Sequence, residues 1–396
     1  MQQDHRETSA ISLDPGWAEI REGVRRICER FPTSYWVRLD HAAAYPREFV
    51  AALTEAGYLA ALIPETYGGA GLPLAAACAV LETIHEEGCT AAACHAQMYT
   101  MGTLLRHGSE AQKKAYLPGI AAGTLRLQAF GVTEPTTGSD TTQLTTRAEK
   151  KGNDRYVVNG QKVWTSRVQH SDLMLLLART TPPEKAEKRS DGLSVFIVDL
   201  RTAVGRGIEI RPIDAMINHA TCEVFIDNLE VPAENLIGQE GKGFKYIVDS
   251  MNAERILIAA ECLGDGKYFI RRATDYAKQR VVFGRPIGQN QGVAFPIARA
   301  HAELVAAELV VRKAAAMFEA ERECGAEANI GKMLAADAAF KAADVCLQTF
   351  GGFGFAREYG VERKWRECRL YQTAPISTNM VLAYIAQRVL GLPRSY

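Results

Sequence analysis

The chain has 396 residues, of which 47% are hydrophobic and 23% are charged, and its 46 Lys and Arg balance its 46 Asp and Glu. These values are typical of a globular protein of two or three domains and exclude a net charge that would attract nucleic acid or an anionic membrane. The N-terminus lacks the basic start and apolar core of a secretory signal, and no uncharged apolar run reaches about 18 residues. Nine scattered cysteines without a Cys-x-x-Cys pair predict reduced thiols, a cytoplasmic location and no metal site.

Helical spacing of apolar residues dominates the first third of the chain. It recurs in residues 47–63, 74–88 and 96–123, where Ser109 is predicted as an N-cap. The segment 64–73, PETYGGAGLP, interrupts the pattern with turn-forming residues. We therefore expect a helical domain over residues 1–126.

From residue 127 the pattern changes to short β-rich segments without helices between them. This pattern favours a small antiparallel, barrel-like β-domain over residues 127–240. Asn159–Gly160, within RYVVNGQKVWTS, is typical of a two-residue hairpin turn and predicts two strands there.

Residues 241–396 return to helical spacing, with long apolar segments at 301–323 and 328–350. Such lengths are typical of a four-helix bundle. The order of helices, sheet and helices predicts an α+β protein that is mostly α-helical.

Two carboxylates fall on the apolar face of the helix predicted from Phe244 onward. Glu254 lies three residues after Met251 and four before Ile258, and Glu261 repeats this placement one heptad later. Such a carboxylate is either paired by another segment or kept for proton transfer, because burial without a partner raises its pKa towards neutrality. The spacing does not choose between the two residues.

The most distinctive loop is Phe130–Asp140, FGVTEPTTGSD. Gly138 allows close backbone approach and Ser139 offers a hydroxyl to a phosphate or carbonyl oxygen; a polar loop with a helix-capping Ser is the alternative. No Gly-x-Gly-x-x-Gly occurs in a βαβ setting and there is no Walker sequence, which disfavours a nicotinamide enzyme of the Rossmann type.

Five segments, in this order, resemble the acyl-CoA dehydrogenase family over nearly the whole chain. They are PETYGGAGLP, FGVTEPTTGSD, QKVWTS, AERILIAAECLG with the following YAKQRVVFGRPIGQNQ, and QTFGGFGFAREYGVERKWRECRLYQ. The resemblance implies N-terminal helices, a β-domain and a four-helix bundle, assembled as a homotetramer that is a dimer of dimers. It also implies non-covalent FAD, a place in fatty acid metabolism, and an electron-transfer flavoprotein or similar acceptor.

The implied reaction is α,β-dehydrogenation of an acyl-CoA thioester to the 2-enoyl-CoA. A base would remove the pro-R α-proton while the β-hydride passes to flavin N5. A thioester α-proton is too weakly acidic for a carboxylate unless fixed donors stabilise the enolate oxygen. An acyl-carrier-protein-linked dehydrogenase, a flavin oxidase of the same fold, and a non-catalytic acyl-CoA- or flavin-binding member are the alternatives.

The resemblance also assigns site residues by position. Those expected around the flavin of the same subunit are Phe130, Val132, Thr133, Ser139, Trp164 and Ser166. Those expected at the FAD across the dimer are Arg280, Phe283, Gln291, Gln348, Gly351 and Gly352. Ser377 and Asn379 replace two further FAD contacts, and Ser139, Asn252, Arg255 and Tyr371 are expected at the thioester. The alternative places Trp164 and Phe283 in the core and Arg280 at a solvated helix end.

The chain departs from the commonest family pattern at the base. Many members have Tyr-Glu-Gly-Thr near the C-terminus, where the Glu is the base, whereas Pro375 takes its place here. A minority, which includes isovaleryl-CoA and long-chain dehydrogenases, carries the base on the long helix immediately before an Arg, as in Glu254–Arg255. The resemblance thus selects Glu254 over Glu261.

Pro375 raises a second question, because proline has no N–H and the N–H at this position is an enolate donor in the family. Losing one such donor costs about 10²–10³ in rate. We therefore expect another backbone amide, such as that of Ile376, to replace it.

Overall fold

The computed structural model describes residues 17–394, and every structural statement below concerns this part of the chain. The expectation that no secretory signal is present concerns residues 1–16, which lie outside the described residues. The predicted order of helices, sheet and helices is confirmed. No helix within residues 17–394 combines the length and mean hydropathy that crossing a membrane requires.

The first group of helices packs its apolar faces around buried Trp36, Phe49 and Leu81. Ser109 caps the last of these helices as predicted: its Oγ accepts from the Gln112 N–H at 3.2 Å, and Gln112 Oε1 accepts from the Ser109 N–H at 3.0 Å. This reciprocal pair satisfies two amides that a helix start leaves without partners. The helices are α1 (Ala18–Cys28), α2 (Thr33–His41), α3 (Arg47–Glu55), α4 (Leu74–Glu86), α5 (Ala92–His107) and α6 (Glu110–Ala121).

The middle of the chain forms one mixed sheet. Its strands are β1 (Leu127–Gly131), β2 (Arg147–Lys151), β3 (Arg155–Ser166), β4 (Leu173–Arg179), β5 (Leu193–Asp199), β6 (Ile208–Pro212), β7 (Thr221–Pro232) and β8 (Leu236–Ile237), with a short helix α7 (Leu200–Ala203) after β5. They lie in the order β6-β7-β3-β2-β4-β5-β8, with β1 beside β4. The β1–β4 and β2–β4 pairs are parallel, so the sheet is not purely antiparallel, and the described strands do not close into a barrel.

The predicted hairpin at Asn159–Gly160 is wrong. Both residues lie inside β3, which pairs with β2 along one edge and with β7 along the other. Glycine is needed there for a different reason: a Cβ on Gly160 would lie 2.4 Å from Thr146 Oγ1. The register also shifts between Val158 and Gly160, so the glycine marks a bulge where another backbone passes closely.

The C-terminal group contains the longest helices. Helix α8 packs against α4 and α5 of the first group and against α9 and α10 of its own group. Gly264 permits this arrangement, because a Cβ there would lie 2.2 Å from the Glu82 carbonyl oxygen of α4. The elements are α8 (Gly243–Gln279), β9 (Val281–Val282), β10 (Arg285–Pro286), α9 (Gln291–Glu319), α10 (Gly325–Phe350), α11 (Val361–Leu370) and α12 (Thr378–Tyr384).

Candidate active site

A cavity of about 870 Å³ lies where the ends of β1 and β3 face α5, α8 and the segment after α11. It brings together two groups that the sequence analysis assigned separately, one for the flavin and one for the thioester. The predicted residues that line it are Phe130, Val132, Thr133, Ser139, Trp164, Ser166, Asn252, Glu254, Arg255 and Tyr371. The cavity is therefore the candidate site for both cofactor and substrate.

Glu254 presents its carboxylate to this cavity from the middle of α8. This carboxylate makes no hydrogen bond or ion pair with any residue between 17 and 394. Burial raises the pKa of Glu254, against the opposing positive fields of His95, Arg255 and Lys332. The Arg255 guanidinium does not contact it and instead donates to Asn252 Oδ1 at 2.9 Å. Glu254 thus combines an unpaired carboxylate with a raised pKa, which is the environment expected of a general base.

Glu261, one heptad further along α8, is in the opposite condition. His95 Nδ1 lies 2.8 Å from its Oε1, and His85 Nε2 lies 3.7 Å from its Oε2. Burial alone would raise the pKa of Glu261, but His95 and His85 lower it overall. The structure therefore separates the two carboxylates that the spacing left equivalent: Glu261 is paired and Glu254 is not.

A network of buried charges continues beyond Glu261. His85 Nδ1 lies 3.0 Å from Asp265 Oδ1, and the Lys364 ammonium contacts Asp265 and lies 2.9 Å from Glu367 Oε2 and 3.1 Å from His85 Nδ1. His85, Asp265 and Glu367 lie close enough together to ligate a metal ion. The Lys364 ammonium already contacts all three, so the cation between them is a lysine. The network joins α4, α8 and α11.

The loop after β1 is fixed to β3 by a buried ion pair. Lys162 Nζ donates to the Val132 carbonyl at 3.0 Å and to Glu134 Oε1 at 2.9 Å. Glu134 also accepts from the backbone N–H groups of Thr145 (2.7 Å) and Thr146 (2.8 Å). Burial lowers the pKa of Lys162 to about 8; burial alone would raise the pKa of Glu134, but Lys162 and the backbone donors hold it at about 2. The pair holds the Phe130–Thr133 backbone beside the cavity.

The end of β3 is distorted where it meets the cavity. The register against β7 shifts between Lys162 and Thr165, and Trp164 adopts a φ of 60° with its side chain 58% exposed. A bulge beside a cavity re-aims side chains. Here it presents the Trp164 indole to the cavity instead of burying it in the core.

Ser166 ends β3 in a hydrogen-bond network that the sequence analysis did not predict. Its Oγ lies 2.9 Å from Thr221 Oγ1, and Asn218 Nδ2 donates to both hydroxyls at 2.8 Å. Asn218 Oδ1 in turn accepts from Arg167 Nη1 at 3.2 Å. Arg167 directly follows the QKVWTS segment, and this adjacency could have predicted that Arg167 lies near the site. Asn218 is 52 residues from Ser166 and has no local signal.

The segment that contains Pro375 is tied to α10. Lys332 Nζ donates to the carbonyl oxygens of Tyr371 at 2.5 Å and Ile376 at 2.7 Å. Pro375 and Ile376 both line the cavity. The Ile376 backbone N–H donates to no acceptor in the described part of the chain, so it is available to a ligand.

The residues expected to reach a second subunit's FAD lie apart from the cavity. Arg280 Cζ lies 5.9 Å from the centre of the Phe353 ring, and Phe283 is fully exposed. Gly351 and Gly352 border open space, because a Cβ at either position would meet no atom within 4 Å. All six predicted residues are exposed on the helical domain: Arg280, Phe283, Gln291, Gln348, Gly351 and Gly352.

Ser377 and Asn379 do not line the cavity either. The Ser377 hydroxyl caps α12, where it accepts from the Met380 N–H at 3.4 Å, and Asn379 is exposed. Their predicted FAD contacts remain predictions.

Comparisons with known proteins match all three parts of the chain. Family models described as the N-terminal, middle and C-terminal domains of acyl-CoA dehydrogenase match residues 17–124, 129–229 and 241–390. The chain is 34% identical over 395 residues to acyl-CoA dehydrogenase FadE12 of Mycobacterium tuberculosis, covering 98% of this chain and 100% of the relative. It is 33% identical over 385 residues to glutaryl-CoA dehydrogenase of Desulfococcus multivorans, covering 95% and 97%. The structure of butyryl-CoA dehydrogenase from Megasphaera elsdenii superposes with a TM-score of 0.88 at 27% identity, covering 98% of this chain and 100% of that one.

Proposed function

Because the chain belongs to the acyl-CoA dehydrogenase family, whose members are FAD-dependent oxidoreductases acting on the CH–CH group of acyl-CoA, we propose that it converts an acyl-CoA to the 2-enoyl-CoA with Glu254 as the base. The observation that carries this proposal is the unpaired carboxylate of Glu254 in the cavity. The family's more common base position is occupied by Pro375, which cannot accept a proton. Glu261, the other carboxylate on this face of α8, is engaged by His95.

The raised pKa of Glu254 suits removal of a weakly acidic proton. A carboxylate with an ordinary pKa is a poor base for a thioester α-proton, and burial brings the two acidities closer. Arg255 and Lys332 favour the ionised form of Glu254 through their charges, without forming an ion pair that would block it. Glu254 therefore keeps both basicity and freedom to reach the substrate.

The residues around the cavity fit a flat ring system. Phe130 and Val132 supply apolar surface, the exposed Trp164 indole supplies a flat face, and Ser166 supplies a hydroxyl held by Asn218. No atom lies within 4 Å of a Cβ built on Gly138, which leaves room beside Ser139 for a phosphate. FAD bound here would supply the acceptor for the hydride from the substrate Cβ.

The second group of predicted FAD residues supports a site shared between subunits. These residues are exposed and lie away from the cavity of their own chain; they are Arg280, Phe283, Gln291, Gln348, Gly351 and Gly352. Several large apolar side chains on the same helical domain are also exposed, among them Phe283, Phe295, Phe353 and Phe355. Exposed apolar groups of this size are typical of an interface, which supports a homo-oligomer, proposed as a dimer of dimers.

We assign the missing enolate donor to the Ile376 amide. Its N–H is free, it borders the cavity, and its carbonyl is held by Lys332 at 2.7 Å. A donor held in place before the reaction stabilises developing negative charge without having to reorganise. The Tyr371–Ile376 segment would thus supply, one residue later, the donor that Pro375 lacks.

Anaerobic titration of the purified yellow holoprotein with a panel of CoA thioesters tests the proposal. At least one thioester is expected to bleach the flavin, and Glu254→Gln is expected to slow bleaching by about 10²–10⁴, whereas Asp275→Asn, an exposed change on the same helix, leaves it unchanged. Unchanged bleaching in Glu254→Gln would remove Glu254 from the role of base. If no thioester bleaches the wild type, the chain is a binding member of the family.

A further measurement identifies the electron acceptor. We propose an electron-transfer flavoprotein, so bleached enzyme should reoxidise slowly in air and rapidly when such a protein is added. Rapid oxygen consumption without an added acceptor would identify an oxidase instead.

A further inference from the structure

Arg167 brings an unpaired positive charge to the wall of the cavity. Its guanidinium makes no ion pair with any carboxylate of residues 17–394. Nη1 donates to the neutral Asn218 Oδ1 at 3.2 Å, and Nε is sealed from solvent without a partner. An arginine in water loses strong hydration when it enters such a site, and here no protein anion replaces that hydration.

The backbone at Arg167 is held so that its side chain enters the cavity. Its φ of 61° is unusual for a residue other than glycine. Its N–H donates to the Ala220 carbonyl at 2.5 Å, and its carbonyl accepts from the His170 N–H at 3.0 Å and from Ser171 Oγ at 2.9 Å. A strained conformation persists only where its surroundings enforce it, and such positions cluster at ligand sites.

Arg167 shares the cavity wall with two tyrosines, Tyr45 and Tyr99. Burial lowers the pKa of Arg167, against the fields of Tyr99, Tyr45 and Glu261. Burial raises the pKa of Tyr99, with a further contribution from Glu254 and an opposing one from Arg167. Tyr99 is on α5, where it packs near Phe130 with ring centres 6.4 Å apart.

The other carboxylates that line the cavity do not neutralise Arg167. Glu261 is paired with His95, Glu367 with Lys364, and Asp40 with Arg366. Asp140, Asp249 and Glu323 also line the cavity, but they are exposed and none of them pairs with Arg167.

The Glu254 carboxylate has no partner within residues 17–394, and the proposed function keeps it free for the α-proton. Two arginines of the cavity wall, Arg167 and Arg255, therefore have no carboxylate partner among the described residues. Arg255 directly follows Glu254 on α8 and is already expected at the thioester, so Arg167 is the one whose counter-ion is unassigned.

We propose that the substrate supplies this counter-ion: the enzyme oxidises the CoA monothioester of a dicarboxylic acid, whose distal carboxylate binds Arg167. This inference rests on the proposed function and names its substrate class. The planar guanidinium fork matches a carboxylate in two parallel hydrogen bonds. Asn218 Oδ1 already holds Nη1 of this guanidinium, whereas a plain alkyl end would leave the guanidinium desolvated and without a carboxylate partner.

Binding of matched thioester pairs to the holoenzyme tests the inference. Each pair has the same acyl length and differs at the distal end: glutaryl- with pentanoyl-CoA, and adipoyl- with hexanoyl-CoA. Calorimetry measures affinity whether or not the flavin is bleached. At the acyl length that the enzyme prefers, the wild type is expected to bind the dicarboxylic thioester more tightly than the alkyl one. Arg167→Met is expected to lower the affinity for the dicarboxylic thioester by about 30-fold or more and to leave the affinity for the alkyl thioester unchanged.

Two further variants complete the test. Arg167→Lys keeps the positive charge but lacks the planar guanidinium, so it should retain part of the preference for the dicarboxylic thioester. If Arg167→Met fails to fold, Arg167→Lys still tests the inference. Arg211→Met removes an exposed arginine of β6, which is paired with Glu209, and should change neither affinity.

Several results would overturn the inference. They are a wild type that binds alkyl thioesters as well as or better than dicarboxylic ones, equal losses for both members in Arg167→Met, or loss of FAD without a change in acyl preference. Bleaching by alkyl thioesters alone would overturn the substrate class and leave the proposed function standing. Absence of bleaching by any thioester would instead count against the proposed function, while calorimetry still decides the role of Arg167.

Discussion

His95 Nδ1 lies 2.8 Å from Glu261 Oε1, and this contact distinguishes two carboxylates on one face of the same helix. The partner of Glu261 comes from α5, 166 residues away in the chain. Glu254, two turns earlier on α8, faces open cavity. A single long-range contact thus pairs one glutamate, and the other remains unpaired in the cavity, as the proposed base requires.

The first prediction concerns Glu261. Glu261→Gln should lower the free energy of unfolding by about 1.5–3 kcal/mol, the contribution of a hydrogen bond to a charged group, because both carboxylate oxygens lie near buried imidazoles. Urea unfolding of the holoprotein followed by circular dichroism measures this, with Asp275→Asn as the exposed control on α8. The rate of flavin bleaching per folded molecule should change far less than in Glu254→Gln; a larger loss in Glu261→Gln would make Glu261 the base.

The second prediction concerns pH and Glu254. The pKa of Glu254 is raised in the folded protein above its ordinary value of 4.5 by burial, so the bleaching rate should rise with pH through that raised value as the base ionises. Stability runs the other way. A raised folded-state pKa stabilises the protein fully below 4.5, and this contribution is lost as the pH rises through the folded-state value.

Glu254→Gln should therefore be more stable than wild type at neutral pH and equally stable below pH 4.5. The difference should be about 1.4 kcal/mol for each pH unit by which the folded-state pKa is raised. Unfolding curves of both proteins across this range measure it. A variant less stable than wild type at neutral pH would show that the Glu254 carboxylate has a partner after all.

The third prediction concerns Lys332, whose ammonium holds two carbonyl oxygens of the Tyr371–Ile376 segment. Lys332→Met should lower the bleaching rate by about 10²–10³, as expected when one enolate donor is displaced, while FAD remains bound. Rapid-mixing measurements with saturating thioester separate this loss of rate from weaker binding. Lys341→Met, a partly exposed change on the same helix, is the control, and equal effects in both variants would contradict a role for the segment.

The fourth prediction concerns the second group of FAD residues. Arg280→Met should release FAD, because Arg280 would contact the cofactor of a neighbouring subunit, and it should do so without altering the cavity of its own chain. Absorbance of the purified protein gives the FAD content, and sedimentation gives the oligomeric state. Arg285→Met, a nearby exposed arginine whose side chain donates to Asn290 Oδ1, should keep its FAD; loss of FAD in both variants alike would point to general disruption of this loop.

Helical spacing and capping rules correctly predicted the features that depend on residues close together in the sequence. The apolar spacing of α8 placed Glu254 on a buried face, and the Ser109 cap followed from residues three positions apart. The Asn159–Gly160 prediction failed because the turn rule concerns isolated backbone preference, whereas Gly160 is there to let the Thr146 backbone pass closely. The mixed character of the sheet depends on which distant strands pair, and strand spacing along the chain does not contain that information.

The site was predictable where motifs are contiguous and not where it is assembled from distant elements. Ser139 and Trp164 belong to recognisable segments, so their positions at the cavity could be anticipated. The link from Ser166 through Asn218 to Arg167 joins β3 to the loop before β7, and the pairing of Glu261 with His95 joins α8 to α5. Neither could be read from spacing, because each depends on how the sheet and the helices pack together.

The buried network around Lys364 affects the position of Glu254. Asp265 and Glu261 on α8 contact buried side chains of α4, α5 and α11, so a shift of α8 along or about its axis would break these contacts in the protein interior. Glu254 lies on the same helix. The position of its carboxylate in the cavity therefore depends on contacts made two to three turns away along this helix. If Glu254 is the base, a variant designed for a different acyl group would need changes at those contacts as well as in the cavity wall.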